Sequence, residues 1–277
     1  MPINAAEWNL LVDRIHDGLC IPFLGAGASI GANAPSAATL AEMLAARCDY
    51  PGRDKKDFLK VAQFFRMVTD EYEPRREIVR ILSNPAIRPT PAHEALASLP
   101  FLFFITTNYD DLLERALRDR GRQPRVMVYK VGKDKEEVER MPTFAEPIVY
   151  KIHGTMGDLT SMVVTEDDMV NWMAGVLTSD PPLPKAISAL FKESVLFIGY
   201  ALTDWNIRVL LRAIRGREPA KLCISIQKQP ENPEDLDFWN RLVAHLTKNE
   251  LRCYSIDAGD FIAELKQRYD AAYRGPA

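Results

Sequence analysis

Residues 21–29 have the sequence Ile-Pro-Phe-Leu-Gly-Ala-Gly-Ala-Ser, an apolar run that ends in two closely spaced glycines. This pattern is typical of a buried strand that turns sharply into a helix. Two later apolar runs end in polar residues, Thr-Thr-Asn-Tyr-Asp at 106–110 and Lys-Ile-His-Gly at 151–154. The carboxyl ends of parallel strands open into the same crevice of an α/β sheet, so we expect these three segments to form one site.

Strand and helix patterns alternate along most of the chain, which indicates a parallel sheet with helices on both faces. Residues 38–98 interrupt this alternation, because they contain only helix patterns separated by prolines. We therefore predict an α/β fold with a doubly wound, mainly parallel Rossmann-like sheet. The chain is expected to form one catalytic domain, residues 1–277, with a small helical lobe at about 33–98 inserted after the first strand.

The composition excludes several classes of protein. A hydrophobic fraction of 47% in 277 residues supplies ample core material, so the chain is not disordered. A net charge of -3 provides no general attraction to nucleic acid. No apolar run approaches the ~20 residues of a transmembrane helix, and the first residues lack the pattern of a signal peptide. We therefore expect a cytoplasmic protein with no membrane partner and no direct nucleic-acid partner.

The cysteines give no indication of a metal site. They lie far apart in the sequence, at Cys20, Cys48, Cys223 and Cys253. Structural zinc sites usually contain closely spaced cysteine pairs, and no such pair is present. We therefore expect no metal cofactor.

The glycine turn has two interpretations. Gly25 and Gly27 allow the backbone to approach a phosphate without an intervening Cβ, and the Ser29 hydroxyl is a hydrogen-bond donor. However, the third glycine, Gly31, comes one residue too late for the dinucleotide-binding fingerprint, and no acidic residue follows at the usual spacing. Taken alone, the turn fits a tight strand-to-helix connection equally well.

The segment 106–110 places several polar side chains at the end of an apolar strand. Either Asp110 or Asp111 is expected to cap the helix that follows. Capping requires only one such residue, so Asn108 remains as a candidate for function.

His153 is the candidate proton acceptor among four histidines. Histidine is the side chain best suited to accept a proton near neutral pH, although an isolated histidine is more often structural. The position of His153 at a strand end, beside the other two segments, favours the functional interpretation. His16 and His245 lie on helices without such a setting, and His93 is interpreted as a helix-start residue of the lobe.

A fourth segment, Phe-Ile-Gly-Tyr-Ala-Leu-Thr-Asp at 197–204, runs from a strand through Gly199 to Asp204. Thr203 or Asp204 would serve as a helix cap. Alternatively, the carboxylate of Asp204 would accept hydrogen bonds from ribose hydroxyls.

Taken in order, the four segments resemble the sirtuin-like family of bacterial NAD-consuming proteins, over about residues 20–215. In that family the first segment lines the dinucleotide phosphates, the second reaches the nicotinamide ribose and carboxamide, and the fourth serves the adenosine side. The residues that the resemblance implies for binding are Gly25, Ala26, Gly27, Ser29, Thr107, Gly199 and Asp204. The implied catalytic residues are His153 as the base, Asn108 and Asp110.

The chain departs from the protein-deacylating sirtuins at two places. It lacks their paired zinc cysteines, and it has Asn-Ala-Pro-Ser at 33–36 where they carry an Asp-Phe-Arg segment. Both departures resemble the branch that hydrolyses NAD as a toxic effector in phage defence.

The chemistry of NAD cleavage is compatible with these residues. Breaking the nicotinamide–ribose bond creates an oxocarbenium-like cation on the ribose, and nicotinamide leaves without a strong acid. The protein must orient a water molecule and accept its proton. Asn108 is suited to the first task and His153 to the second, and neither task requires a metal.

Two other classes of function remain open from the sequence. One is an NAD-dependent protein deacylase or ADP-ribosyltransferase, and the other is a non-catalytic nucleotide sensor. We expect no segment beyond the catalytic fold to detect a trigger, and we therefore predict a homo-oligomer or a separately encoded regulatory partner. The arginine-rich stretch 115–125 is either a partner surface or, more commonly, a solvated helix end.

Overall fold

The computed structural model describes residues 3–132, 136–179, 183–200, 209, 211–213, 222–230, 232–248 and 251–274. The strands in these ranges are β1 (Cys20–Leu24), β2 (Phe103–Thr106), β3 (Arg125–Val128), β4 (Ile148–Lys151), β5 (Ser194–Ile198), β6 (Leu222–Gln227) and β7 (Arg252–Ser255). The α-helices are α1 (Ala5–His16), α2 (Ala37–Arg47), α3 (Phe58–Val68), α4 (Glu73–Leu82), α5 (Pro91–Ser98), α6 (Leu112–Asp119), α7 (Glu166–Thr178), α8 (Lys185–Glu193), α9 (Pro233–Lys248) and α10 (Ala258–Tyr273). Within the described ranges, no helix has the length and apolar character that a membrane crossing requires.

The seven strands form one sheet in the order β3-β4-β2-β1-β5-β6-β7, and all six strand pairs are parallel. The strands β2 to β4 lie on one side of β1, whereas β5 to β7 lie on the other. The direction of winding therefore reverses between β1 and β5, and open α/β sheets bind their ligands at such a switch point. The predicted doubly wound, parallel α/β fold is confirmed.

Side chains alternate between two apolar layers along each strand, as the pleat requires. In β1, Ile21 and Phe23 pack with α7 and α8, whereas Cys20 and Leu24 pack with α1, α5, α6 and α10. The sheet is therefore covered by helices on both faces, which explains why its strands are nearly continuous apolar runs in the sequence.

The helices α2, α3 and α4 form most of a third core, in which Leu44, Val61 and Ile78 are fully buried, and Met162 and Val164 complete it. The fourth helix of the expected lobe, α5, packs instead in the layer that contains α6 and α10. The packing of the lobe therefore extends through α4 only. The division of the chain into one catalytic domain with an inserted lobe remains a prediction.

A buried ion pair connects this third core to the rest of the molecule. The Arg75 guanidinium on α4 donates to both carboxylate oxygens of Asp168 on α7, each at 2.8 Å. The same carboxylate accepts from the main-chain nitrogens of Val164 and Thr165, at 3.0 and 2.9 Å. These bonds fix Val164 and Thr165, which lead into α7.

Arg122 corrects one interpretation of the arginine-rich stretch. Its guanidinium is buried and donates to the carbonyl oxygens of Ala97, Leu99, Phe101 and Phe144, at 3.0, 3.1, 2.6 and 2.6 Å. Arg122 therefore satisfies carbonyls in the last turn of α5 and after it, together with that of Phe144 before β4, and it belongs neither to a partner surface nor to a solvated helix end.

Candidate active site

The four segments predicted from the sequence leave the sheet at the same edge. Thr106, the last residue of β2, is paired with Leu24 of β1 and with Lys151 of β4. The main-chain nitrogen of Thr107 donates to Leu24, and that of Gly25 donates to Ile198 of β5, at 3.2 and 3.0 Å. Parallel pairing in register therefore brings together residues that are more than a hundred positions apart in the chain.

The side-chain amide of Asn108 joins the second segment to the first. Its Nδ2 donates to the carbonyl oxygen of Gly25 at 3.3 Å and to the Ser29 hydroxyl at 3.2 Å. A carbonyl oxygen only accepts hydrogen bonds, so this contact identifies the nitrogen of the amide. The amide oxygen of Asn108 is therefore directed away from the glycine turn. Asn108, Gly25 and Ser29 lie together, as predicted.

His93 lies in the same cluster, although the sequence indicated only a helix start. Its Nε2 lies 3.3 Å from the Ser29 hydroxyl, and both residues are buried. Its Nδ1 accepts from the main-chain nitrogen of Thr90 at 3.2 Å, in the capping box that begins α5. Burial lowers the pKa of His93 to about 4. The helix-start interpretation is therefore correct but incomplete, because the second ring nitrogen reaches Ser29.

His153 follows β4 as predicted, but its ring faces a different part of the molecule. The ring packs edge-on against Trp172 of α7, with ring centroids 4.8 Å apart and an interplanar angle of 87°. Its Nε2 is buried and has no hydrogen-bond partner among the described residues. Burial lowers the pKa of His153 to about 4. The structure therefore brings the main chains of the 106–110 and 151–154 segments together, but it does not join the His153 ring to the Asn108 amide by a hydrogen bond.

Lys151 and Glu114 are buried charges that the sequence analysis missed. The Lys151 ammonium lies 2.9 Å from the Glu114 carboxylate, and both side chains are almost completely buried. The ammonium also donates to the carbonyl oxygens of Asn108, at 3.3 Å, and of Asp110. This pair therefore fixes the turn that carries Asn108. A lysine that ends an otherwise apolar strand was the available sequence signal.

Of the two candidate capping residues, Asp110 is the one whose side chain bonds to the start of α6. Its Oδ1 accepts from the main-chain nitrogen of Leu112 at 3.1 Å, whereas Asp111 makes no side-chain capping bond. Burial raises the pKa of Asp110, and the nearby Lys151 ammonium opposes this shift. The structure shows a capping role for Asp110, and the catalytic role remains a prediction.

The backbone packing between the ends of β1 and β5 requires glycine at positions 27 and 199, whether or not a ligand binds. The main-chain nitrogen of Gly27 donates to Gly199 at 2.9 Å, and a Cβ on Gly27 would lie only 2.6 Å from the Cα of Gly199. Gly199 itself has a φ of +66°, and its Cβ would lie 2.1 Å from the nitrogen of Ala28. These residues therefore let β1 and β5 end in direct backbone contact. A side chain at Gly27 would meet this backbone before it met any phosphate.

The remaining predicted binding residues are placed as follows. Ala26 is exposed in the glycine turn, and Thr107 is half-buried at the end of β2. Asp204 lies outside the described residues. Within the described part of the chain, no group of three or more histidine, cysteine, aspartate or glutamate side chains is arranged to hold a metal ion.

A family model described as the SIR2-like domain matches residues 102–245, which is more than half of the chain. The chain belongs to this SIR2-like family. The predicted membership in a sirtuin-like family is therefore confirmed. The matched range contains the Asn108 and His153 segments, whereas the glycine turn precedes it.

Several curated proteins resemble this SIR2-like chain. The NAD(+) hydrolase ThsA of Bacillus cereus is 26% identical over 265 residues, which cover 90% of this chain and 53% of the relative. The ThsA of Enterococcus faecium is 28% identical over 260 residues, which cover 87% of this chain and 50% of the relative. Defense-associated sirtuin 2 of Bacillus subtilis is 27% identical over 216 residues, which cover 74% of this chain and 20% of the relative. The chain thus spans about half the length of the ThsA relatives.

A solved structure from a study of the mechanism and regulation of Sir2 enzymes aligns with 98% of this chain and 100% of its own. Its sequence identity is 12% and the TM-score is 0.48. The fold assignment for this SIR2-like chain rests on the strand order and parallel pairing described above.

Proposed function

We propose that this chain hydrolyses NAD at the nicotinamide–ribose bond and releases nicotinamide and ADP-ribose. The main support is the assembly of the glycine turn, the Asn108 turn and the His153 segment at one edge of a SIR2-like sheet. The names of the ThsA relatives, which are NAD(+) hydrolases, support the same reaction.

Asn108 is suited to orient the attacking water or a ribose hydroxyl. Its Nδ2 is engaged with Gly25 and Ser29, so its Oδ1 is the atom available to accept a hydrogen bond from the substrate side. As the bond between C1′ and the nicotinamide nitrogen breaks, its electron pair neutralises the pyridinium. The oxygen of water then bonds to C1′ and loses its proton. An acceptor in a fixed position stabilises the developing ribose cation and holds the water.

His153 is proposed as the group that accepts this proton. Its lowered pKa keeps the ring neutral near neutral pH, so a nitrogen lone pair is available for the proton. The ring is enclosed beside Trp172, and therefore we propose that NAD binding moves the segment after β4 and uncovers the unpartnered Nε2.

We further propose that the activity serves antiviral defence in the cytoplasm as a toxic effector, in line with the name of Defense-associated sirtuin 2. We also propose that the chain acts as a homo-oligomer or with a separately encoded regulatory partner.

Incubation of the purified chain with NAD, followed by measurement of free nicotinamide, tests the proposal. Nicotinamide release without an acceptor supports hydrolysis. Release only in the presence of an acylated peptide or a protein acceptor would instead support a deacylase or an ADP-ribosyltransferase. Binding of NAD without any turnover would support a nucleotide sensor and contradict the hydrolase.

A further inference from the structure

The segment 153–163, called here the His153 loop, is closed on itself. The main-chain nitrogen of Val163 donates to the carbonyl oxygen of His153 at 3.0 Å, so the two ends of the loop are bonded to each other. Gly154 has a φ of +87°, and a Cβ at this position would collide with the carbonyl oxygen of Ser161. Because its two arms are in direct backbone contact, the loop is expected to move as one unit.

Tyr109 attaches the His153 loop to the turn that carries Asn108. Its hydroxyl bonds to the carbonyl oxygen of Val163 at 2.5 Å, and its own carbonyl oxygen accepts from the main-chain nitrogen of Met156 at 3.0 Å. A carbonyl oxygen only accepts, and burial raises the pKa of Tyr109, so the hydroxyl keeps its proton and is the donor. One residue therefore holds the loop at two points.

Val163 lies at the boundary between the His153 loop and a segment that is fixed separately. The two residues that follow it donate their main-chain N–H groups to the carboxylate of Asp168. Asp168 and Trp172 are four positions apart on α7, so they lie on the same side of that helix. A movement of the His153 ring away from Trp172 is therefore a movement at Val163, where the Tyr109 hydroxyl is bound.

We propose that the hydrogen bond from Tyr109 to Val163 is an autoinhibitory contact, which keeps the His153 loop closed against Trp172 and breaks before NAD is cleaved. This inference rests on the function proposed above, in which the unpartnered Nε2 of His153 has to be uncovered. While the bond is intact, the ring is enclosed and turnover is suppressed. Tyr109 therefore acts on the reaction through His153 and makes no contact with the reacting atoms.

The position of Tyr109 connects this contact to the substrate. Tyr109 directly follows Asn108, whose amide oxygen is the atom available to accept from the substrate side. A molecule that binds to Asn108 therefore acts on the same turn that holds the His153 loop. Binding at one residue is thus transmitted to the loop through the next residue in the chain.

The main alternative is that Tyr109 only packs against the third core, and a conservative variant separates the two possibilities. Tyr109→Phe keeps the ring and removes the hydroxyl, so the carbonyl oxygen of Val163 loses its donor in the closed loop. In the open loop water satisfies this carbonyl, and the variant therefore favours opening. Tyr50→Phe is the matched control, because it removes a hydroxyl from another ring of the third core, where the hydroxyl donates to Asp54 at 2.9 Å.

Opening is measured without turnover by diethyl pyrocarbonate, which modifies neutral imidazole nitrogens that solvent reaches. Peptide mass spectrometry should show that His153 is modified about fivefold faster in Tyr109→Phe than in the wild-type chain, the effect of one hydrogen bond on an equilibrium. The buried His93 is the internal control and should react at its wild-type rate, and Tyr50→Phe should leave both rates unchanged. An unchanged rate at His153, or an equal increase at both histidines, would overturn the proposal.

Turnover gives the second measurement. We expect Tyr109→Phe to raise kcat for nicotinamide release by about fivefold, because fewer NAD complexes remain in the closed arrangement. A residue with only a packing role would lower kcat or leave it unchanged when truncated, so a kcat no higher than wild type would overturn the proposal. If the wild-type chain releases no nicotinamide, the proposed hydrolase function fails. The modification rate of His153 then still decides whether Tyr109 holds the loop closed.

Discussion

His93 and His153 are both buried and both have a pKa lowered to about 4 by burial, but their ring nitrogens differ. Both nitrogens of His93 are engaged, one with Thr90 and one with Ser29. The Nε2 of His153 is unpartnered among the described residues and lies beside Trp172. A buried polar atom without a partner is costly, and a ligand or a movement that satisfies it is one explanation. The contrast supports the proposal that His153, and not His93, accepts the proton.

The largest expected effect concerns His153. We expect His153→Ala to lower the rate of nicotinamide release by ~10²–10⁴, the usual cost of removing a general base, with the NAD affinity largely retained. Turnover assays and calorimetry with NAD measure the two quantities. His16→Ala, on the surface helix α1, is the matched control and should remain fully active. A wild-type rate in His153→Ala would show that another group is the base. The proposed difference in role between His153 and His93 would then be wrong.

The next effect concerns the charges that hold the Asn108 turn. Lys151→Met leaves the Glu114 carboxylate buried without its cation, and we expect a loss of about 3–5 kcal/mol in the free energy of unfolding. The double variant with Glu114→Gln removes both charges and should recover a large part of that loss. Urea denaturation measures both. A Lys151→Met protein of wild-type stability would show that this ion pair does not stabilise the turn that carries Asn108.

A smaller effect is expected at Asn108. We expect Asn108→Ala to bind NAD but to slow its cleavage by about 10², the typical loss when one group that stabilises the transition state is removed. Asn108→Asp keeps the shape and an acceptor oxygen but loses the N–H bonds to Gly25 and Ser29. We expect a similar loss of rate in this control, because the orientation of the group is lost. If NAD affinity and turnover fell in equal proportion, Asn108 would be only an anchor.

Much of the fold was predictable because its signals are local. The apolar runs that become β1, β2, β4 and β5 end in recognisable polar or glycine segments, and parallel pairing brings those ends to one edge. The capping of α6 by one of two neighbouring aspartates was predictable for the same reason.

The contacts inside the candidate site were not predictable, because they depend on packing between distant segments. Ser29 and His93 are 64 positions apart, and neither has a local pattern that indicates the other. Similarly, the strand register indicates that His153 follows β4 at the correct edge, but the direction of its ring depends on the position of Trp172 in α7. The glycines show a further limit, since Gly27 is required for contact with Gly199 whether or not a phosphate binds.

The smallest expected effect compares the two histidines by the pH dependence of stability. Each has an ordinary pKa of 6.5 and a folded pKa of about 4, so below pH 6.5 the unfolded chain binds protons that the folded chain does not. The free energy of unfolding therefore falls as the pH decreases from 6.5 toward 4, by up to ~1.4 kcal/mol per pH unit for each histidine, and is unaffected at higher pH. Urea denaturation from about pH 4.5 to 7.5 measures this slope.

The variants His93→Gln and His153→Gln should each flatten the slope by a similar amount, because the carboxylates that also titrate there are common to all three proteins. The same denaturation series at saturating NAD tests whether the ligand affects the two histidines differently. If binding uncovers His153, the ligand should reduce the part of the slope that His153→Gln removes and leave the part that depends on His93. An equal effect of NAD on both parts would mean that the two rings respond to the ligand in the same way, and the assignment of separate tasks would be wrong.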